Sequence, residues 1–411
     1  MENVFDTLME RGFIQQTTDD EALKEILGES FITCYIGFDP TSDSFHVGSL
    51  IPIMALAHMQ RAGHKPIALI GGGTGLVGDP SGKTEMRQLL TLEQIESNAK
   101  GLKEQLKRFL DFNEDKALML NNADWLVPLN YIEFLRDIGR HFSVNRMLAA
   151  ESYRQRLATG LSFIEFNYML LQAYDFYYLY KHYNCILQMG GNDQWGNIVA
   201  GIELVRRMEG ATIYGMTFPL ITTATGEKMG KTAKGAVWLD PKRTTPYEYY
   251  QYWINCDDRD VERFLAFFTF LDMEEIKRIT SVTGEELKKA KEILAFETTK
   301  ICHGEEAAKK AQESSKALFA GKGDEISSVP TKYIEPEKVE KGMPAFVFLA
   351  RVGLCKSSSE ARRLITQGGI YIEKERVKDP EMFITLDHFP KGELLLRAGK
   401  KRYLRVVLDK N

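Results

Sequence analysis

Cysteine is scarce: five of 411 residues, Cys34, Cys185, Cys256, Cys302 and Cys355. They are scattered, with no C-x-x-C pair. That argues against a disulfide framework and a zinc site, and fits a reducing compartment, read here as the cytoplasm. No apolar run approaches the ~20 residues that a membrane-spanning helix needs, so no membrane association is expected. The opening stretch, MENVFDTLMERGF, is acidic and amphipathic rather than basic and then apolar, unlike a secretory signal or a transit peptide. Internal repeats and low-complexity tracts are lacking. The net charge is only -4, so the chain as a whole is not a basic nucleic-acid binder.

What is present is ordinary in bulk and uneven in detail. Apolar residues make up 44% and charged residues 27%, the balance of a globular protein long enough for about two to four domains. Residues 344–411 carry seven Lys and seven Arg against eight acidic residues, a net +6, so the remainder carries -10. A basic module on an acidic body suggests an appendage that contacts RNA or DNA.

Hydrophobic patterning predicts helices over 3–14 and 19–29, a strand over 31–37, a helix over 48–62 and a buried strand at Pro66–Ile70. Helix 91–111, a strand at 117–120 and helices over 129–139 and 164–181 follow. A strand at 185–189 and a helix over 196–208 complete the series. Strands alternating with long helices predict a doubly wound parallel sheet, with ligands outside the carboxyl ends of its strands. After residue 240 strand signals stop and 246–320 reads as helical. Residues 321–343 read as a linker. From Pro344 a small mixed unit begins, with Phe346, Phe348, Leu349, Leu354, Ala361, Leu364, Ile365, Ile370, Tyr371 and Ile372 as its core. The expected division is a catalytic domain at 1–238, a helical domain at 239–320, the linker, and a small α+β domain at 344–411.

The most informative stretch is 33–50. A strand ends at Gly37, Asp39-Pro40-Thr41 turns because Pro40 excludes helical geometry at Asp39, and a helix opens at Gly48. Free N–H groups at such a helix start favour phosphate. Two nearby patterns are lookalikes. Gly73-Thr74-Gly75-Leu76-Val77-Gly78 spells a dinucleotide fingerprint, but Asp79-Pro80-Ser81-Gly82 would break the helix it requires. Gly78 to Thr84 is one residue short of a P-loop.

His46-Val47-Gly48-Ser49 resembles the HIGH element of class I aminoacyl-tRNA synthetases. Glu227-Lys228-Met229-Gly230-Lys231-Thr232 resembles their KMSKS loop, roughly 180 residues later. With Gly78-Asp79-Pro80-Ser81-Gly82-Lys83 and Gly190-Gly191-Asn192-Asp193-Gln194, the likeness extends over nearly the whole chain to bacterial-type tyrosyl-tRNA synthetases. The resemblance implies L-tyrosine, ATP with Mg2+ and tRNA(Tyr) as substrates, no protein-held metal, and a homodimer. In it Thr41, His46, Lys228, Lys231 and Thr232 meet the polyphosphate, with Lys83 and Arg87 adding positive charge. Asp39, Gly48, Ser49, Gly191 and Asp193 belong to the ATP side, Asp193 at the ribose. Tyr35 and Asp175 take the substrate phenol, with Gly37 in the same pocket. Asp79, Tyr168 and Gln172 take the ammonium, and Gln194 reaches the carboxylate region. Tyr168, Gln172 and Asp175 also fall on one helical stripe by spacing alone. Glycines at 226, 230 and 235 suit a second loop that moves.

Residues 344–411 resemble an S4-type RNA-binding module, with Ser359 capping a helix whose Arg362 and Arg363 face RNA, and Lys356, Lys374 and Lys378 extending the basic face. Arg206 and Arg207 are candidates for the acceptor stem or plain helix-end charges. Phe134, Leu135, Ile138, Phe142 and Met147 could form a dimer seam. This sequence departs from the commonest pattern at Ser49, where HIGH ends in His, and at Ile36, where many members carry Cys. Two other readings stay open: a synthetase of the same fold for another amino acid, chiefly tryptophan, and a non-catalytic RNA-binding relative.

Overall fold

The computed structural model describes residues 3–81, 90–226, 229–232, 235–319, 329–373, 375–389, 391–399 and 402–409. The first sheet has six strands: β1 (Gln16–Thr17), β2 (Thr33–Phe38), β3 (Lys65–Ile70), β4 (Leu118–Asn121), β5 (Cys185–Gly191) and β6 (Tyr214–Phe218). Their order is β1-β6-β5-β2-β3-β4, parallel throughout except for β1 against β6. The chain steps outward from β2 through β3 to β4, then continues with β5 and β6 on the other side of β2. The winding therefore reverses at β2 and β5, and in such sheets the crevice at the carboxyl ends of those strands takes the ligand.

β3 is apolar on both faces because both are covered: Ile67, Ala68, Leu69 and Ile70 are all buried. On one face Tyr35, Ile67 and Leu69 pack with Phe176, Leu179 and Val205 from the helices Phe163–Tyr183 and Trp195–Glu209. The first of these starts at a reciprocal capping box between Ser162 and Glu165 and stops where Asn184 turns left-handed at φ 50°. The helix Leu92–Leu106 starts the same way, with Thr91 and Gln94. No helix among the described residues is long and apolar enough to cross a membrane.

Two short strands, β7 (Lys231–Thr232) and β8 (Gly235–Ala236), pair antiparallel. Gly226, Gly230 and Gly235 have φ of +83°, +80° and +113°, a backbone that favours glycine.

The chain divides into two compact units, Met1–Arg243 with Asn255–Cys302, and Thr244–Ile254 with His303–Asn411. The helical stretch 246–319 is shared between them: Val261–Phe268 and Met273–Thr280 fall in the first, Pro246–Ile254 and Glu305–Phe319 in the second. The second unit contains β9 (Thr331–Ile334), β10 (Met343–Pro344), β11 (Ile370–Ile372), β12 (Glu375–Arg376), β13 (Phe383–Ile384), β14 (Glu393–Ala398) and β15 (Arg402–Leu408). Five of them form a sheet in the order β12-β11-β14-β15-β9. Its core holds Phe348, Leu349, Leu354, Ala361, Ile365, Ile370 and Ile372, with Phe346 and Leu364 packed against it.

Three expectations need correcting. Within the expected linker 321–343, Thr331–Ile334 is a strand that pairs parallel with β15. It is an edge strand with Lys332 and Tyr333 exposed, so it lacks the apolar alternation of a covered one. Ser357, not Ser359, caps the helix Ser358–Thr366, accepting from the Glu360 N–H at 3.2 Å. In the expected dimer seam, Ile138 and Met147 are 4% exposed and lie in the chain's own core, where neither can meet a partner. The exposed apolar residues of that region are Tyr131, Ile132, Leu135 and Val144.

Candidate active site

A cleft of about 820 Å³ opens at the carboxyl ends of β2 and β5. At its floor, Tyr35 of β2 stands opposite Gln188 of β5 in register, so both side chains project to the same face. The Tyr35 hydroxyl and Gln188 Oε1 are buried, and neither has a hydrogen-bond partner among the described residues. Asp175, on the helix Phe163–Tyr183, is also buried. Its Oδ2 accepts from Asn122 Nδ2 at 2.9 Å and its Oδ1 from Trp125 Nε1 at 2.7 Å. Burial pushes its carboxyl up to about 7 in spite of those two donors. Burial, and then the charge of Asp175, raises the Tyr35 phenol well above its ordinary value.

Asn122 follows β4 and also docks the glycine-rich turn after β3. Its Oδ1 accepts from the N–H of Gly73 at 2.8 Å and of Thr74 at 3.4 Å, and its Nδ2 donates to Thr74 Oγ1 at 2.9 Å. Each main-chain N–H from Gly71 through Gly78 finds a partner inside the protein, and the turn holds only a single 3-10 turn, Thr74–Leu76. The fingerprint spelled by 73–78 therefore offers no phosphate cradle. Of the P-loop-like run, Gly82, Lys83 and Thr84 lie outside the described residues.

Midway along the cleft stand two carboxylates. Asp39 accepts from Thr74 Oγ1 at 2.8 Å and from the Tyr168 hydroxyl at 3.0 Å. A Cβ on Gly71 would come within 2.1 Å of Asp39 Oδ1, so only glycine admits this arrangement. Asp79 accepts from the Ser81 N–H at 2.9 Å and from Gln194 Nε2 at 2.7 Å. Burial first, then the charge of Asp39, brings the Asp79 carboxyl up to about 6. Two acids, a phenol oxygen and the amide of Gln172 at one place suit a cation that donates several hydrogen bonds. Asp39, read from sequence as an ATP-side residue, is joined by Tyr168 to this group. Asp193 and Gly191 line the same cleft.

At the far end lie the two signature loops. His46 Nδ1 accepts from the Gly48 N–H at 3.0 Å, which leaves the proton of the neutral ring on Nε2. A Cβ on Gly48 would meet His46 Cε1 at 2.6 Å and the Met229 carbonyl at 3.1 Å. One on Gly230 would meet Val47 at 2.7 Å. The loops thus abut, and glycine on each side permits it. Residues 237–240 also lie along 44–47: Val47 N–H donates to Val237 O at 3.0 Å, Leu239 N–H to Phe45 O at 2.9 Å, and Asp240 N–H to Ser44 Oγ at 3.2 Å. The Trp238 ring meets His46 edge-on at 6.2 Å and carries the Arg243 guanidinium on its face at 4.3 Å. From the other side Gln105 Oε1 accepts from the Phe45 N–H at 3.0 Å.

The cleft thus brings together Tyr35, Gly37, Asp39, Thr41, His46, Gly48, Ser49, Asp79, Tyr168, Gln172, Asp175, Gly191, Asp193 and Gln194. Lys83, Arg87 and Lys228 lie outside the described residues, and of Lys231 and Thr232 only the strand β7 is described. Sequence reasoning missed Asn122, Trp125, Gln188, Asn197, Gln105 and Trp238. The paired Asn121-Asn122 just after a strand was a usable signal, since side-chain amides there commonly tie neighbouring loops.

Candidate RNA contacts fall into two sets. On the first unit, Arg206 pairs with Glu203 at 3.0 Å, and Arg207 donates to the His141 carbonyl at 2.7 Å. On the second, Arg362 pairs with Glu381 at 2.6 Å and stacks on Phe346 at 3.6 Å. Arg363 is exposed and makes no ion pair among the described residues, and Lys356 and Lys378 are exposed. Lys374 lies outside the described residues.

A family model described as tRNA synthetases class I (W and Y) matches residues 28–320, and an S4 domain model matches 343–388. The chain belongs to the class I tRNA synthetases of that W and Y group. Over 99% of both chains it is 58% identical to the tyrosine--tRNA ligase of Desulfatibacillum aliphaticivorans. Over the whole of both it is 53% identical to the tyrosine--tRNA ligase of Clostridium botulinum strain 657. Among solved structures it matches a C-terminally truncated mitochondrial tyrosyl-tRNA synthetase of Aspergillus nidulans with a TM-score of 0.71 and 30% identity, covering 78% of this chain and 95% of that one. A tryptophanyl-tRNA synthetase of Encephalitozoon cuniculi shares the fold at a TM-score of 0.57 and 14% identity, over 75% of this chain and 90% of that one.

Proposed function

We propose that the chain is a tyrosine–tRNA ligase. It joins the carboxylate of L-tyrosine to the α-phosphorus of MgATP, expels pyrophosphate, and then passes the tyrosyl group to the 3′ end of tRNA(Tyr). The observation that carries the amino-acid assignment is the buried Tyr35 hydroxyl beside Asp175 at the floor of the cleft. A phenol both donates and accepts, so it satisfies both groups, whereas an indole has one N–H and a phenyl ring has nothing. Full-length similarity to tyrosine--tRNA ligases supports the same assignment.

Asp79, Tyr168 and Gln172 hold the ammonium, with Asp39 adding charge through Tyr168. Gln194 and Gly37 bound the amino-acid pocket. Asp193 and Gly191 take the ribose. No protein nucleophile is needed, so catalysis is positioning and neutralisation of charge on the leaving phosphates. Thr41, Gly48, Ser49 and His46 Nε2–H face that charge from the first loop. Lys228, Lys231 and Thr232 face it from the second, with Lys83 and Arg87 contributing. Residues 1–238 carry this chemistry, 239–320 serve the anticodon side, and 344–411 bind RNA. The protein works in the cytoplasm.

Tyrosine-dependent exchange of pyrophosphate into ATP tests the reading. Exchange with tyrosine but not with tryptophan or phenylalanine is expected. Exchange with tryptophan alone, or with no amino acid while tRNA still binds, overturns it.

Arg363→Glu in the full-length chain should weaken tRNA charging severalfold through KM for tRNA and flatten its salt dependence, because it removes a phosphate contact. Pyrophosphate exchange should stay at the wild-type rate. Equal charging by variant and wild type removes Arg363 from the RNA surface. Exposed Tyr131, Ile132, Leu135 and Val144 suit a homodimer seam. Sedimentation of a monomer at micromolar concentration would end that part of the reading.

A further inference from the structure

Asn197 lies in the first turn of the helix Trp195–Glu209 and is 2% exposed. Its Nδ2 lies 3.0 Å from Gln172 Oε1, 3.2 Å from Gln194 Oε1 and 3.2 Å from Ser81 Oγ. An amide nitrogen only donates. Its two hydrogens serve three acceptors, of which Gln172 Oε1 is the nearest. Gln194 is oriented independently, its Nε2 donating to Asp79 Oδ2 at 2.7 Å and lying 3.4 Å from Asp193 Oδ2. Gln172, which lines the cleft with Asp79 and Tyr168, has its oxygen turned to Asn197. An amide oxygen has two lone pairs, so it can accept from Asn197 and from one further donor.

We propose that Asn197 is a positioning residue for the α-ammonium of the amino-acid substrate. Without touching the substrate, it sets the polarity of the Gln172 amide, so that the amino end of the pocket presents oxygen to the cation. This rests on the reading of the Asp79, Tyr168 and Gln172 group as the ammonium site. Without the Asn197 donor the Gln172 amide can reverse, whereas Gln194 stays held by Asp79 and Asp193. A reversed Gln172 sets N–H groups against the ammonium.

The test compares Asn197→Leu, which keeps volume and removes the donor, with wild type on three ligands: L-tyrosine, tyramine, and 3-(4-hydroxyphenyl)propanoate, which keeps the phenol and carboxylate but lacks the amine. Binding of L-tyrosine and tyramine should weaken about tenfold or more, the scale of a lost hydrogen bond to a charged group. Binding of the des-amino acid and KM for ATP should change less than twofold. Equal weakening of all three ligands would mean that Asn197 only holds the fold, and no weakening of any would mean that the Gln172 amide orients without it. Either outcome overturns the proposal. Should Asn197→Leu fail to fold, Asn197→Ala removes the same donor with a smaller side chain and should show the same ligand pattern. Its absence there is equally decisive. If wild type itself binds tyramine no better than a neutral phenol, the ammonium reading fails before any variant is made.

Discussion

Asp175→Asn should lower the preference for tyrosine over phenylalanine by about 10- to 100-fold, the range for a hydrogen bond to a buried charged group. The variant keeps shape and loses charge, and its new N–H2 points at a Trp125 or Asn122 donor. The loss therefore falls on kcat/KM for tyrosine, with exchange driven by phenylalanine unchanged or improved. Measuring exchange with both amino acids reads the ratio. An unchanged ratio would remove Asp175 from phenol recognition.

The same carboxylate predicts a pH profile. Asp175 must be ionised to take the phenol O–H beside the two N–H donors already on its oxygens, and Asp79 to pair with the ammonium. With carboxyls raised to about 7 and about 6, kcat/KM for tyrosine should fall as pH drops through 7 and steepen below 6. Asp175→Asn should remove the upper limb and leave the lower. Because both carboxyls are raised above the unfolded value, the folded chain binds protons between pH 4 and 7 that the unfolded chain has released. Their contribution to stability is therefore present at low pH and fades as pH rises to 7.

Gly48→Ala should cost about 100-fold in kcat for exchange, the scale of an ångström-sized displacement of a catalytic group. The added Cβ sits 2.6 Å from His46 Cε1 and 2.8 Å from Nδ1, so the ring must swing and the bond that fixes its tautomer breaks. Met229 O at 3.1 Å gives the second loop little room as well. KM for tyrosine should stay near wild type, since Tyr35 and Asp175 lie at the other end of the cleft. A variant that exchanges at the full rate would show that His46 needs no such tether.

Strands covered on both faces were legible in the sequence, because they carry a local physical signature: Pro66–Ile70 is a continuous apolar run. Helix caps were not: the sequence suggests Ser359, whereas Ser357 caps the helix. β1, with two residues, and β6, Tyr-Gly-Met-Thr-Phe, carry no such signature and were missed. β9 reads as linker in the sequence because Lys332 and Tyr333 are exposed and only Ile334 is buried. Periodicity named Ile138 and Met147 as apolar but could not say that their faces turn inward. In the cleft, the residues readable from motif spacing are those placed against the substrates. Asn122, Trp125 and Asn197 act through other side chains across 25 to 53 positions, and only the folded chain brings those partners together.

The stitching of 44–47 onto 237–240 has a kinetic side. Val47 and Val237, joined at 3.0 Å, close a loop of about 190 residues, and such contacts are bought late in folding because their chain entropy is repaid only when most of the sheet exists. The phosphate end of the cleft should therefore assemble after the amino-acid pocket, where Asn122–Asp175, Asp79–Gln194 and Asp39–Tyr168 span 53, 115 and 129 residues. In refolding from denaturant, recovery of exchange activity should lag behind recovery of helical signal and of tyrosine binding. A newly made chain should hold its amino acid before it can activate it.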